Sequence, residues 1–300
     1  MSPKERVHAF GPDGSLMGIV TLPDASFDSE PAAASRPFVV LLNAGIVHRA
    51  GPFRLAVSLA RSLAERGFSV LRFDQSGLGD SAKGEGGAHA TEQVLKDGRA
   101  AMDFLAQRYG ARQFVVGGLC SGAMNAHRIG VADDRVVGLW MLDGSAYPTL
   151  STHRPTVKRV LRSPGRWAGS GRRLSGRAWS MVAGLMRGPT PIGPSAEASD
   201  ERKGLFYQDW PPKETARREL DQMLTRGARI LFVYTGGWSG FVHPRQFDEM
   251  FPRLSHRERV TVKYYPHADH TYLLQGDRNE MTADVGAFLD ALSRDLSRSR

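Results

Sequence analysis

Cysteine is almost missing from this chain: Cys120 stands alone among 300 residues. A single thiol excludes an internal disulfide and a cysteine-built zinc cluster, and it leaves a free thiol suited to a reducing compartment. Long apolar runs are missing too. None approaches the ~18 residues that a membrane-spanning helix needs, and the opening MSPKERVHAF has no apolar core of a signal peptide. The expectation is no membrane span and a cytoplasmic location. Acidic residues are missing from one long stretch: between Gly144 and Ala196 there is no Asp or Glu, while Arg154, Lys158, Arg159, Arg162, Arg166, Arg172, Arg173, Arg177 and Arg187 all occur. These nine cations equal the net charge of +9, so the rest of the chain is close to neutral. That distribution argues against a surface that coats nucleic acid and for one basic face with an anionic partner.

What is present is a chain with 41% apolar residues, long enough to bury one large core. Strand-like runs alternate with helical stretches, the pattern of a parallel sheet covered by helices on both faces. Arg6 to Phe10, the turn GPDGS and Leu16 to Leu22 read as a hairpin. FVVLL, from Phe38, reads as a buried strand; Pro52 opens a helix that stops at Gly67, with Leu55, Leu59 and Leu63 at helical spacing. FSVLRFD, QFVVGGL, VVGLWMLDG, ARILFVYTGG and VTVKYYP read as further strands. Helices are predicted over about 91–107, 121–131, 244–251 and 281–292. From Ser145 to about Thr225 the text turns rich in Arg, Gly, Ser and Pro, the mark of an insertion placed where a lid would sit. The predicted organisation is a core over 1–144, a basic, mostly helical lid over 145–227, and the second part of the core over 228–300.

The segment GGLCSGA, residues 117–123, frames the chemistry. A strand that turns sharply into a helix while exposing a nucleophile needs small residues two before and two after it. Cys120 has Gly118 and Gly122 in those places, whereas Ser121 has Leu119 and Ala123, so Cys120 is the predicted nucleophile. The start of a helix also favours a thiolate. A nucleophile needs a base and the base an orienting acid. His270, in HADHTY just past the last strand, is the predicted base, with His267 as its rival. No carboxylate follows the strand ILFVYT, which runs into GGWSG, so Asp143 at the tip of the preceding strand is the predicted acid, ahead of Asp269. The oxyanion hole is assigned to the backbone amides of Ser121 and Gly45, with Ile46 next in line. Ile46, His48, Trp167, Trp179 and Trp238 are candidates for lining a substrate, and Asn43 and Arg49 share the loop with the first two. Asp74 and Gly77, in RFDQSGLGDS, read as structural.

Together the elbow, RFDQSGLGDS, the lid position and the DHT histidine resemble the α/β-hydrolase superfamily. LNAGIVHRAGPFR, VLRFDQSGLGDS, GLCSGA and LDGSAYPT resemble its branch of exosortase-system-associated hydrolases and related cysteine-elbow hydrolases. The resemblance spans roughly 38–148 and 228–290. It implies an α/β-hydrolase fold with a mostly parallel, eight-stranded sheet, and it carries the nucleophile role onto Cys120 and the base role onto His270.

A cysteine acyl-enzyme is a thioester, still activated toward amines and thiols, so acyl transfer stands beside hydrolysis. The expected substrates are acyl thioesters, on coenzyme A or on an acidic acyl carrier protein that docks on the basic lid. This chemistry calls for neither cofactor nor metal. A carboxylesterase or lactone hydrolase of the dienelactone-hydrolase type is the enzymatic alternative, and a catalytically silent binding protein is the non-enzymatic one.

Overall fold

Residues 3–23, 36–84, 90–144, 146–149, 152, 210–238 and 240–298 are described in this computed structural model. Eight strands form one sheet in the order β1-β2-β4-β3-β5-β6-β7-β8. β1 (Lys4–Phe10) and β2 (Leu16–Leu22) make the antiparallel hairpin that closes one edge, with Phe10 opposite Leu16. β2 runs antiparallel to β4 (Val70–Phe73). From there β3 (Phe38–Leu41), β5 (Phe114–Leu119), β6 (Val136–Leu142), β7 (Arg229–Thr235) and β8 (Val260–Tyr265) continue in parallel. All six parallel strands therefore end at one edge, and loops gather there.

Among the described residues the α-helices are α1 (Leu55–Glu65), α2 (Ala90–Tyr109), α3 (Ser121–Ala132), α4 (Lys213–Thr225), α5 (Gln246–Met250) and α6 (Gln275–Arg298). Alternation along each strand sends side chains to two separate cores. Val40, Val116, Leu139, Met141, Ile230 and Phe232 face the layer of α2, α3, α4 and α5. Val39, Val115, Trp140, Leu142, Leu231 and Val233 face α1 and α6, meeting Leu59, Leu63, Val285 and Leu289. Both faces are dry, which is why the strands read as continuous apolar runs. Each fully buried side chain of this size contributes roughly 1.5–3 kcal/mol.

Three predicted elements differ from the observed ones. Pro52–Arg54 is a single 3-10 turn, because Phe53 and Arg54 take positive φ of 47° and 60°; α1 begins only at Leu55. The last helix runs well beyond 281–292, since its apolar stripe marks only the turns that touch the sheet and polar turns extend both ends. Within the stretch assigned to a mostly helical lid, the helix Lys213–Thr225 instead buries Ala216, Leu220 and Met223 in the same core as the sheet. Most of the predicted lid, 153–209, lies outside the described residues, as do Trp167 and Trp179. Among the described residues no helix is long and apolar enough to cross a membrane.

Candidate active site

At the end of β5 the chain turns directly into α3, and Cys120 occupies the turn with φ 57° and ψ −116°. A left-handed backbone at a residue with a Cβ costs about 1–3 kcal/mol and persists only where its surroundings hold it. They do here. The Cys120 amide donates to Leu142 O at 2.9 Å, and its carbonyl receives the first helical amides, from Ala123 at 3.1 Å and Met124 at 3.2 Å. The thiol makes no capping bond of its own. Close approach explains the flanking glycines: a Cβ on Gly118 would lie 2.9 Å from the Gly122 backbone, and one on Gly122 would lie 2.6 Å from Asn43 O.

His270 and Asp143 meet at the same edge of the sheet. His270 Nδ1 donates to Asp143 Oδ2 at 2.8 Å, across 127 residues of sequence. The Asp143 carboxylate is buried, and β7 supplies two more donors: the Thr235 amide to Oδ1 at 2.7 Å and the Thr235 hydroxyl to Oδ2 at 2.6 Å. Desolvation alone would push the imidazole pKa down, but hydrogen bonds to Asp143 and to Cys120, with the charges on both, outweigh it and raise His270 from 6.5 to about 9. The imidazole thus keeps its proton to higher pH than an ordinary histidine, with the Asp143 carboxylate on Nδ1 and Cys120 nearby. The rivals stand elsewhere: His267 is exposed, and the Asp269 carboxylate accepts from the Thr271 and Leu273 amides, at 2.8 and 2.7 Å.

Trp238 stacks on His270, with ring centroids 5.0 Å apart and planes at 22°. It therefore touches the imidazole itself, beside its expected place in a substrate wall. Thr235 is the residue that reading the sequence missed. The signal available was its position: it ends the strand next to the one that carries Asp143.

Gly45 and Ser121 also come together, the Gly45 amide donating to Ser121 Oγ at 2.6 Å. The Ser121 amide is in the first turn of α3, where no helical carbonyl is available to it. The loop that carries Gly45 is held from below. Asn43 is buried, donates to Asp74 Oδ1 at 3.1 Å and Val47 O at 2.9 Å, and accepts from the Gln75 amide at 2.9 Å. Arg49 reaches Asp74 with both its amide and its guanidinium, and Asp80 at 2.8 Å. His48 faces the same two carboxylates at 3.5 Å, and Ile46 is 71% exposed. His48, Asp74 and Asp80 have the spacing of a metal-ligand group, but the Arg49 guanidinium already bridges the two acids and supplies the positive charge that an ion would.

A mostly parallel, eight-stranded sheet with a strained strand-to-helix turn at β5 and a histidine after β8 defines the class: this is the α/β-hydrolase fold. Residues 38–172 match the family described as serine aminopeptidase, S33. Solved structures agree on the fold. An esterase from Pyrococcus furiosus superposes with a TM-score of 0.58 at 16% identity, over 97% of this chain and 91% of that one. A dienelactone hydrolase from Anabaena variabilis superposes with a TM-score of 0.57 at 11% identity, over 97% of this chain and 99% of the other. An α/β serine hydrolase without a lid from Xanthomonas campestris gives 0.50 at 16% identity, over 99% and 95%. No curated protein matches the sequence.

Two predictions follow from this geometry. Gly122→Ala drives a Cβ into Asn43 O and is expected to cost about 1–3 kcal/mol, read as a lower denaturant midpoint at unchanged slope. Because His270 titrates at about 9 when folded and 6.5 when not, its contribution to stability is complete below pH 6.5 and lost as pH rises through 9. Asp143→Asn removes the main charge partner, so unfolding titrations at pH 6.5 and pH 9 should differ less in this variant than in the wild type.

Proposed function

We propose that the protein is an acyl-thioester hydrolase or acyltransferase that works through a covalent intermediate on Cys120. The observation that carries this reading is the grouping of Asp143, His270 and Cys120: a buried carboxylate on Nδ1 of an imidazole whose proton affinity Asp143 and Cys120 both raise. In chain order it is nucleophile, acid, histidine, the order of α/β-hydrolases.

The reaction proceeds in two halves. Cys120 Sγ, poised beside an imidazolium, attacks the acyl carbon, and the carbonyl oxygen becomes an oxyanion. When the tetrahedral intermediate collapses, the bond to the leaving thiol or alkoxide breaks and His270 gives that group its proton. A thioester on Cys120 remains. Water, an amine or a thiol then attacks the same carbon, passing its proton to His270, and the second collapse releases Sγ with its electron pair. Asp143 stays ionised throughout, fixing the ring and the proton on Nδ1.

Thioester donors are favoured over oxygen esters because exchange of one thioester for another on Cys120 is nearly balanced in energy. The nine-cation run between Gly144 and Ala196 supports an anionic carrier, coenzyme A or an acidic acyl carrier protein. We carry the cysteine-elbow branch into this proposal on the same motifs. The dienelactone hydrolase and the esterase among the similar folds support a second reading, in which small esters or lactones are hydrolysed through the same Cys120 chemistry. The carboxylate of Asp143, 2.8 Å from His270, supports the enzymatic reading over a catalytically silent binding protein.

Steady-state turnover of acyl-pantetheine thioesters, p-nitrophenyl esters and simple lactones tests the assignment. Cys120→Ala is expected to abolish turnover of every good substrate, while Asp143→Asn slows it by about 10⁴-fold, as loss of the orienting acid does elsewhere. Full activity in Cys120→Ala would sink the covalent reading, and a preference for lactones over thioesters would select the second one.

A further inference from the structure

The hydroxyl of Ser121 occupies an unusual place for a residue whose backbone alone the oxyanion hole was expected to use. The Gly45 amide spends its proton on Ser121 Oγ, at 2.6 Å, and so does not point freely at a substrate. Among the described residues the hydroxyl's own proton has no protein acceptor, although its oxygen is already in a short bond. An O–H whose oxygen accepts an N–H is polarised and becomes the stronger donor. Ser121 itself is half-buried and adjoins the nucleophile, so its hydroxyl works in partly water-free surroundings.

We propose that the Ser121 hydroxyl is itself a catalytic donor, so that the oxyanion is held by the Ser121 N–H and the Ser121 Oγ–H. Gly45 is then a positioning residue that aims and polarises the hydroxyl from behind. This rests on the covalent reading above. No proton leaves Oγ: the hydrogen bond to the acyl oxygen tightens as that oxygen gains charge on attack by Sγ, and it relaxes when the leaving group departs. The competing arrangement makes the hydroxyl a plug, one that must swing aside to free the Gly45 amide. The two predict opposite signs for its removal.

Single-turnover release of p-nitrophenol from p-nitrophenyl acetate, with enzyme in excess, separates them. Ser121→Ala is expected to slow acylation by about 10²-fold with the concentration dependence little changed, the usual consequence of losing one oxyanion donor. Ser121→Thr, which keeps a hydroxyl at the same atom, is expected to restore most of the rate. An Ala variant as fast as the wild type, or faster, overturns the donor role, and so does a folded Thr variant as slow as Ala. Cys120→Ala run alongside keeps the two layers apart: if it releases p-nitrophenol as fast as the wild type, the covalent reading falls and the donor role falls with it. If it is inactive while Ser121→Ala is unimpaired, only the donor role is lost.

Discussion

A buried carboxylate with three hydrogen-bond donors holds this structure's working edge together. Asp143 is sealed from solvent, and an ionised carboxylate there would be prohibitively costly without partners. Its partners come from two other elements: the backbone and hydroxyl of Thr235 at the end of β7, and His270 in the loop after β8. The need to satisfy one charge thus fixes three strand ends against each other and sets the imidazole beside Cys120. Without that charge His270 would be a half-buried neutral ring with no reason to sit where it does.

The second constraint is steric. Cys120 holds a backbone conformation that its side chain disfavours, and the strain is contained because Gly118 and Gly122 let strand, helix and the Asn43 loop pack at backbone contact. The same closeness brings the loop of Gly45 next to Ser121. That loop is pinned by Asp74, which takes four donors from Asn43, Arg49 and Asp80. Asp74 therefore anchors the Gly45 loop as Asp143 anchors the loop of His270.

Much of this was legible in the residues. Strands buried on both faces announce themselves as apolar runs, and the steric test at Gly118 and Gly122 picks out Cys120 over its neighbour. Asp143 was reachable by elimination, because the strand ending in YTGG carries no acid. Other features had no local signal. Thr235 is an ordinary strand residue until the sheet order places β7 beside β6, and the stacking of Trp238 on His270 depends on where two separate loops meet. His48 sits in the loop at the site's edge, yet its ring faces Asp74 and Asp80, carboxylates about thirty residues later in the sequence. The Gly45 to Ser121 bond likewise joins residues 76 apart, and sequence spacing alone cannot foresee where a hydroxyl proton will be left over.

Covalent catalysis by Cys120 requires that its sulfur carry the acyl group. Mixing the protein with butyryl-pantetheine, quenching in acid within the first turnover, and weighing the intact chain and then its peptides tests this directly. The predicted result is a gain of one butyryl group on the peptide that contains Cys120, absent from Cys120→Ala and removed by an added thiol. Turnover with an unmodified chain, or a butyryl group found on Ser121 instead, would contradict it.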